Sequence, residues 1–454
     1  MENPKAPDSI YRTYDVRGIY GKEINEDTAD KIGAAFAQYI GHGKRVAFGR
    51  DIRHGSREMS ERMLAALSGN GLDVMDLGLV PTPMVYFTIR HNGLDGGIMV
   101  TASHNPKEWN GFKIFGANGK ILGMGSGLED IKRIVDSGMK GAQAGGSVTD
   151  FSADALRDYS STVVQKSGAA SIPMHKLRIG LDTGNGSYSI IGPQIMRQAG
   201  IDVIPMNDAY DPEFGGRGPE PKEGTLDGLS RLVVEKKLDF GVAFDADGDR
   251  AVFVDDKGSI IRGDVSLSLF IKSLARPSDR IVYEISCSKV VEDMIAQVGA
   301  VPVPSRIGRR FILENMERER ARLGGEISSH TYFSELYNGD DALFSAMAMY
   351  CIVARTGKRL SELIAEMPHY ELEALEIPVD EKEKHRIVDE ARGRAQAEGL
   401  ETVLIDGVKV IGGDWRFVIR PSNTTPAIRL VAESRTRQGL DKAVSMAKSL
   451  LGMQ

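Results

Sequence analysis

Three stretches of the chain repeat one pattern, and this repeat restricts the possible folds more than any other feature. They begin with KRVAFGRD at Lys44, KLRIGLDT at Lys176 and DRIVYEIS at Asp279. In each, an apolar strand is followed by a polar loop that carries serine, an amphipathic helix that ends near glycine, and a second apolar strand. Strand–helix–strand units of this kind build parallel sheets with right-handed crossovers. The sequence therefore predicts three related α/β domains.

The pattern changes after about Tyr370. A charged helix from Asp380 is followed by the predicted strands TVLIDGVKVI, WRFVIRP and AIRLVAES, and the helix GLDKAVSMAKSLL comes last. Strands grouped between helices indicate a smaller α+β domain. We therefore expect an α/β protein of four domains, with boundaries at 1–150, 151–255, 256–369 and 370–454.

Composition excludes several classes of protein. The net charge is −6, from 57 basic and 63 acidic residues, which favours neither nucleic acid nor a membrane surface as partner. The most apolar stretch, ALFSAMAMYCIVA, is shorter than the ~20 residues of a membrane span and is typical of a buried helix. The N-terminus has no apolar signal segment, and Cys287 and Cys351 are too few for a disulfide framework or a cysteine-based zinc site. A cytoplasmic protein is expected.

The stretch VTASHNP places Ser103 and His104 directly after the predicted buried strand GGIMV. The Asn-Pro pair marks a loop, because the residue before proline is disfavoured in helical conformation. Loops at strand ends commonly carry reactive side chains. The alternative is a plain turn whose serine bonds its own backbone.

The stretch FDADGDRAVF places Asp245, Asp247 and Asp249 on a tight loop between two predicted strands. Three carboxylates at alternate positions repel one another unless a hard cation lies among them. Oxygen ligands suit Mg²⁺, with Ca²⁺ or Mn²⁺ as alternatives. An EF-hand is excluded because its sixth position requires glycine, where this chain has Arg250.

Two further loops carry polar side chains suited to a sugar phosphate. GGEISSHTYF places Glu326, Ser328 and His330 on alternate residues, and in an extended loop these would point to one side. RPSNTTP offers the forked donors of an arginine and neighbouring hydroxyl and amide groups, which fit a phosphate, and the alternative is a plain Ser-Asn-Thr turn. The residues of this second loop are Arg420, Ser422, Asn423 and Thr424.

Five motifs together carry a family resemblance that spans nearly the whole chain. TYDVRG, TASHNP, DADGDR, GGEISSH and RPSNTTP occur in the order found in the α-D-phosphohexomutases. Within that family the chain is most similar to the phosphomannomutase/phosphoglucomutase group. The resemblance implies three α/β domains with mixed sheets and a smaller fourth domain around a central cleft.

The resemblance also implies roles for individual residues. Ser103 would carry a phosphoryl group in the resting enzyme, and Mg²⁺ would be held by Ser103 and the three aspartates of DADGDR. Catalytic roles in proton handling and charge stabilisation would fall to His104, Lys113 and Arg250, with the general base left open among them. The residues expected to bind substrate are Tyr14, Arg17, Arg306, Glu326, Ser328, His330, Arg420, Ser422, Asn423 and Thr424.

The implied reaction interconverts hexose 1- and 6-phosphates of mannose, glucose or both through a hexose 1,6-bisphosphate. The expected partners are small sugar phosphates only, and the expected state is a monomer or homodimer. The sequence departs from the family pattern at two places that bear on substrate binding. Ser329 stands where many relatives have glycine, which reduces backbone freedom. Arg306 and Arg309 stand where several relatives show lysine and histidine, and arginine does not titrate.

Three alternatives remain at this stage. A phosphoglucosamine mutase belongs to the same family and differs in the sugar. A metal-dependent sugar-phosphate phosphatase would use Asp245 as nucleophile and Asp247 as its acid/base partner, but would leave TASHNP and RPSNTTP without a role. A non-catalytic sugar-phosphate sensor is disfavoured, because it would not need both Ser103 and the aspartates.

Overall fold

The computed structural model describes residues 7–137, 145–174, 176–422 and 425–453. The chain forms two compact units. The first comprises Met1–Ile261 and His330–Ser361, and the second comprises Arg262–Ser329 and Glu362–Gln454. No helix among the described residues is long and apolar enough to cross a bilayer.

The first unit begins with a six-stranded mixed sheet in the strand order β1-β5-β4-β2-β3-β6, which packs against helices. Its elements, in chain order, are β1 (Val16–Ile19), α1 (Glu26–Ile40), β2 (Arg45–Arg50), α2 (Ser56–Gly69), β3 (Asp73–Leu79), α3 (Thr82–His91), β4 (Gly96–Val100), β5 (Trp109–Gly116), α4 (Leu128–Ser137), β6 (Val148–Asp150) and α5 (Ser152–Ser167).

The two central strands of this sheet determine which loops meet. β2 and β4 are parallel neighbours, with Arg50 paired to Val100 at their carboxyl ends. The loops that follow them, from Asp51 and from Thr101, therefore emerge side by side at one edge of the sheet. In open α/β sheets this edge is where ligands bind.

A second sheet of the same unit has five strands in the order β11-β10-β9-β7-β8. Strands β7 and β9 are parallel, whereas β9 and β10 form an antiparallel hairpin. The elements are β7 (Arg178–Asp182), α6 (Ile191–Gln198), β8 (Asp202–Met206), α7 (Asp227–Lys236), β9 (Phe240–Phe244), β10 (Ala251–Val254) and β11 (Ile260–Ile261).

The segment that follows contributes elements to both units. Its elements are α8 (Gly263–Leu274), β12 (Arg280–Glu284), α9 (Lys289–Gln297), β13 (Val301–Ser305), α10 (Arg309–Glu319), β14 (Leu323–Gly325), β15 (Thr331–Phe333), β16 (Gly339–Asp340), α11 (Ala342–Thr356) and α12 (Leu360–Ala365). In the second unit β12 pairs in parallel with β13 and β14. In the first unit β15 and β16 form an antiparallel pair, and α11 is buried along almost its whole length, as its apolar sequence predicts.

The C-terminal part of the second unit is an antiparallel sheet covered by two helices, with the strand order β17-β21-β20-β19-β18. Its elements are β17 (Glu371–Pro378), α13 (Lys384–Ala397), β18 (Glu401–Val403), β19 (Val408–Ile411), β20 (Trp415–Pro421), β21 (Ala427–Ser434) and α14 (Arg437–Leu450). The stretch predicted as one strand, TVLIDGVKVI, is a hairpin of two, and β17 was not predicted.

The predicted repeat is confirmed in each of the three stretches. β2-α2-β3, β7-α6-β8 and β12-α9-β13 each run strand–helix–strand, and the two strands of each set pair in parallel. The prediction of an α/β fold with mixed sheets and a smaller α+β C-terminal part is therefore confirmed. The four boundaries stay a prediction.

Candidate active site

Ser103 lies on the loop that follows β4, as the sequence predicts. It is buried, and its backbone adopts φ 53°, a left-handed conformation that is unfavourable for a serine. Its N–H donates to Thr101 Oγ1 at 2.9 Å, and its Oγ lies 3.2 Å from His104 Nδ1. The hydroxyl is therefore next to an imidazole on a loop whose conformation must be held by its surroundings.

The three aspartates of DADGDR lie on the tight loop between β9 and β10, and all three are buried. One carboxylate oxygen from each lies within 4.8 Å of the others. Asp247 Oδ1 and Asp249 Oδ1 are buried without a hydrogen-bond partner among the described residues. Buried carboxylate oxygens that lack donors, grouped at this spacing, fit a hard divalent cation.

Mutual repulsion in this group is visible in the pKa values. Burial, and then the neighbouring carboxylate of Asp249, raise the pKa of Asp245 to about 7. Burial also opposes ionisation of Asp249, yet Lys113 and His330 together hold the pKa of Asp249 below its usual range. Burial disfavours charge on Arg250, but Asp245 and Asp249 raise its pKa, so this guanidinium stays charged.

Two side chains from elements around the first sheet, Lys113 and Thr82, form hydrogen bonds to the aspartate loop. Lys113 projects from β5, and its Nζ donates to Asp247 Oδ2 at 2.7 Å and to Asp249 Oδ2 at 2.6 Å. Thr82, at the start of α3, donates its hydroxyl to Asp247 Oδ2 at 2.5 Å and its N–H to Asp247 O at 2.8 Å. The predicted residue Lys113 is thus at the aspartate loop, and Thr82 is an addition that the sequence did not indicate.

Arg17 and His104 complete the surroundings of Ser103. Arg17, on β1, donates to Ala102 O at 3.2 Å and to Asn105 Oδ1 at 2.6 Å, so it contacts the serine loop. Burial, and then the charges of Arg250 and Arg17, hold the pKa of His104 well below its usual value. His104 is therefore neutral near pH 7 and could accept a proton. Tyr14 is half-buried close to β1 in the chain.

His330 joins the same unit as Ser103 and the aspartates. Its Nδ1 lies 2.8 Å from Asp340 Oδ2 and 3.8 Å from Asp249 Oδ1. Asp340 is fully buried at the end of β16 and had not been predicted as a site residue. A carboxylate on one ring nitrogen fixes the orientation of an imidazole and its tautomer.

The other predicted sugar-binding residues belong to the second unit. Glu326 is buried and Ser328 is exposed. The expectation of an extended loop is wrong, because Ser329 N donates to Glu326 O at 3.2 Å in a turn, with Ser329 at φ 72°. This left-handed position explains why glycine would be easier there than serine.

A second buried acid, Glu284 at the end of β12, lies in the electrostatic surroundings of Glu326. Burial, and then the carboxylate of Glu326, raise the pKa of Glu284 to about 8, which the charge of Arg420 opposes. Glu284 Oε1 and the nearby Ser286 Oγ are buried and have no hydrogen-bond partner within the described part of the chain. The sequence could have indicated Glu284 as a site residue by its position at the carboxyl end of a predicted parallel strand.

The phosphate-binding loop predicted from RPSNTTP follows β20. Arg420 NH1 donates to Pro421 O at 3.1 Å, and Ser422 is buried with its carbonyl 2.8 Å from Lys384 Nζ. Lys384, itself buried, adds a cation to this loop that the sequence did not single out. Asn423 and Thr424 lie outside the described residues.

The remaining predicted substrate residue, Arg306, is exposed in the loop after β13. Its guanidinium lies 4.5 Å from the ring centroid of Phe311. The structure therefore brings together Ser103, His104, Arg17, Lys113, the aspartates, Arg250 and His330 in the first unit. Glu326, Ser328, Arg306, Arg420 and Ser422 belong to the second.

Family models match along almost the whole chain. They are the three alpha/beta/alpha domains I, II and III of phosphoglucomutase/phosphomannomutase, at residues 8–141, 157–258 and 262–370, and the C-terminal domain of the same family, at residues 375–447.

Curated relatives agree in length as well as in sequence. The phosphoglucomutase/phosphomannomutase of Thermococcus kodakarensis is 30% identical over 450 residues, covering 97% of this chain and 98% of that one. A probable phosphoglucosamine mutase of Methanococcoides burtonii is 32% identical over 448 residues, covering 97% of this chain and 98% of that one.

Solved structures show the same fold. A phosphoglucomutase/phosphomannomutase family protein of Burkholderia thailandensis superposes with a TM-score of 0.88 at 27% identity, covering 98% of this chain and 97% of that one. An N-acetylphosphoglucosamine mutase of Aspergillus fumigatus, in complex with GlcNAc-6P and magnesium, has a TM-score of 0.59 at 13% identity, with 97% and 95% of the two chains covered. The second likeness bears on the fold alone.

The four domain matches and the full-length relatives agree with the five motifs and with the buried aspartate loop. A phosphatase that used only that loop would not need the other three domains. The chain belongs to the phosphoglucomutase/phosphomannomutase family and is an enzyme of that family's phosphotransferase isomerase class.

Proposed function

We propose that this enzyme interconverts hexose 1-phosphate and hexose 6-phosphate through a phosphoserine at Ser103 and a hexose 1,6-bisphosphate. The observation that carries the proposal is the placement of Ser103, buried on a strained loop with its Oγ 3.2 Å from a neutral His104. In the forward step the Ser103 Oγ–P bond breaks and a new P–O bond forms to a sugar hydroxyl. The hydroxyl proton must pass to a base.

The aspartate loop is proposed to hold Mg²⁺, with Ser103 contributing once phosphorylated. Asp245, Asp247 and Asp249 would be the protein ligands, and Oδ1 of the last two fits this role because neither has a hydrogen-bond partner among the described residues. The cation would neutralise negative charge on the transferring group. Arg250 stays charged because of its carboxylate neighbours, so it stabilises negative charge and does not serve as the base.

Further substrate contacts are proposed from the motifs of the family resemblance. Glu326 and Ser328 offer acceptors and a hydroxyl to the sugar, and Arg420 and Ser422 offer donors to the phosphate that is not reacting. Arg306 is proposed to bind a phosphate or a hydroxyl of the substrate. Asn423 and Thr424 are assigned to the same phosphate by their motif. Tyr14 and His330 are proposed as further substrate contacts.

We further propose mannose and glucose as the sugars. The loop GEISSH resembles the mannose-type loops more than the GEQSGH that is typical of glucosamine enzymes. Full-length relatives of both kinds match at similar identity, so overall identity does not decide. A coupled assay should give higher kcat/KM for mannose and glucose 1-phosphates than for glucosamine 1-phosphate. A glucosamine preference of about tenfold (~1.4 kcal/mol) would contradict the choice.

The test of the mechanism is Ser103→Ala, with Ser137→Ala as a control at an exposed position. The proposal predicts that Ser103→Ala loses nearly all mutase activity while keeping its melting temperature, because a small hydroxyl contributes little packing. After incubation with glucose 1,6-bisphosphate, intact mass should show one phosphoryl group on the wild type and on the control, and none on Ser103→Ala. Full turnover by Ser103→Ala would contradict the proposal.

The cellular setting is proposed from the same features. Sugar phosphates as the only small-molecule partners, a cytoplasmic location and a monomeric or homodimeric state are consistent with the net charge of −6 and the low cysteine count.

A further inference from the structure

Arg53 is a buried arginine directly beneath the serine loop, and the mechanism above gives it no role. It lies three residues after β2, and Ser103 lies three residues after the neighbouring parallel strand β4. This register brings the two side by side although they are 50 residues apart in the chain. Its side chain has no exposed surface.

The guanidinium of Arg53 holds the main chain of the serine loop at four points. One terminal nitrogen donates to Ser103 O at 2.5 Å and to Asn105 O at 2.7 Å, and the other donates to Pro106 O at 2.8 Å and to Trp109 O at 3.1 Å. A single planar fork therefore reaches four main-chain carbonyls, of which Pro106 O also accepts from Trp109 N at 3.0 Å.

The guanidinium is itself held from two sides. Asp51 Oδ2 lies 3.2 Å from its Nε, and Asp51 Oδ1 accepts from Arg53 N and from Ser56 Oγ. On another side, the ring centroid of Phe214 lies 4.9 Å from its Cζ. A buried charge that is paired and stacked, and whose two terminal nitrogens both donate hydrogen bonds, has little freedom to move.

Two features of the loop explain why such a clamp matters. Ser103 is held at φ 53°, which a serine does not adopt without support from its surroundings. The clamp acts on the carbonyl of that same residue. In addition, burial lowers the pKa of Arg53, which the charge of Asp51 and then that of Asp247 oppose, so Arg53 interacts electrostatically with the aspartate loop.

We propose that Arg53 is a positioning residue for phosphoryl transfer, whose fork on the carbonyls of residues 103–109 fixes the Ser103 hydroxyl for reaction. The inference rests on the proposed role of Ser103 as the phosphoryl carrier. Arg53 has no part in binding the sugar. Its loss should therefore lower kcat and leave KM nearly unchanged.

The experiment compares Arg53→Lys and Arg53→Ala with Arg57→Ala, a control on α2 whose side chain is 75% exposed. Lysine keeps the charge beside Asp51 but cannot reach four carbonyls with a fork. We expect kcat to fall about 100-fold in both Arg53 variants, with KM within about threefold of wild type. Guanidinium ion at millimolar concentration should restore part of the kcat of Arg53→Ala only.

Phosphorylation supplies a second readout. The wild type and Arg57→Ala should take up one phosphoryl group on Ser103 from glucose 1,6-bisphosphate with Mg²⁺, and both Arg53 variants should do so much more slowly. Failure of wild type to take up phosphate on Ser103 would overturn the proposed function itself, whatever the Arg53 variants do.

Four results would overturn the role of Arg53 alone. The first is a kcat of Arg53→Lys within about threefold of wild type, and the second is a fall in kcat/KM that comes from a higher KM and not from a lower kcat. The third is a folded Arg53→Ala whose kcat does not respond to guanidinium, and the fourth is failure of both variants to fold. The last would show that Arg53 stabilises the whole domain and not one loop.

Discussion

Asp247 connects the aspartate loop to two other elements of the proposed centre. One of its oxygens accepts from Thr82 on α3 and from Lys113 on β5, and the other is buried with no hydrogen-bond partner in the described ranges. Burial and Asp249 disfavour its ionisation, but the charge and hydrogen bond of Lys113, together with the hydrogen bond of Thr82, lower the pKa of Asp247. It is therefore ionised at neutral pH, as a metal ligand must be.

Replacing Asp247 by Asn should weaken Mg²⁺ binding by ~10-fold or more, because the site loses one of its three negative charges. Titration calorimetry with Mg²⁺ on the purified protein measures this without an activity assay. Glu235→Gln, at an exposed position on α7, serves as the control and should bind as wild type does. Equal affinity of Asp247→Asn and wild type would mean that the aspartate loop is not the metal site.

Residues of the candidate site differ in whether the sequence alone could predict their place in it. The three aspartates and Ser103 could be predicted because each follows an apolar strand within a few residues. Thr82 and Asp340 could not, because their contacts join positions 165 and 10 residues apart whose proximity depends on how separate strands and helices pack. Arg53 stood in the same position after its strand as Ser103 does, so sheet register would have revealed it.

Among the elements, α11 shows how one buried carboxylate organises its neighbours. Asp341 caps the helix by accepting from Phe344 N at 3.0 Å, and it also accepts from Tyr159 OH at 2.5 Å and from Tyr188 OH at 3.2 Å. Because all three side chains are fully or almost fully buried, water cannot replace these bonds. The cap thus ties α11 to α5 and to the loop that carries Tyr188.

Asp341→Ala should lower the free energy of unfolding by about 2–4 kcal/mol, from a lost helix cap and two lost hydrogen bonds to buried hydroxyls. Because Tyr159 OH and Tyr188 OH also hydrogen-bond to each other, one of these hydroxyls is left without an acceptor. Asn25→Ala, which removes the capping box of α1 in the same unit, should cost only about 1 kcal/mol. Urea unfolding followed by circular dichroism compares the two. An equal cost for both variants would show that the tyrosine hydroxyls contribute nothing.

The element missed by the sequence analysis, β17, has a physical explanation. Its sequence, ELEALEIP, is rich in glutamate, which is uncommon in strands. As an edge strand it pairs with β21 over eight residues, with Leu372, Leu375 and Ile377 half-buried and Glu371 and Glu376 exposed. Pairing with β21 at the edge of the sheet therefore outweighs the low strand propensity of this glutamate-rich segment.

For the whole molecule, the predicted family, α/β fold and enzyme class are confirmed, whereas the site roles stay predictions. The proposed phosphoryl carrier and aspartate loop belong to one compact unit, and Arg420 with Glu326 belongs to the other. Periodicity identified the elements, but only the family resemblance linked loops that lie hundreds of residues apart. Composition alone carries no information about which loops act together.

The reaction cycle requires that each phosphate of the bisphosphate be held in turn while the other reacts, and this gives a prediction for Arg420. Arg420→Lys keeps the charge but loses the fork, so KM should rise about tenfold for glucose 1-phosphate and for glucose 6-phosphate alike. Steady-state kinetics in both directions measure the two values. Arg437→Lys, with a side chain 69% exposed on α14, is the control and should change neither. A rise confined to one substrate would mean that this loop holds only one of the two orientations, and that a different group grips the phosphate in the other.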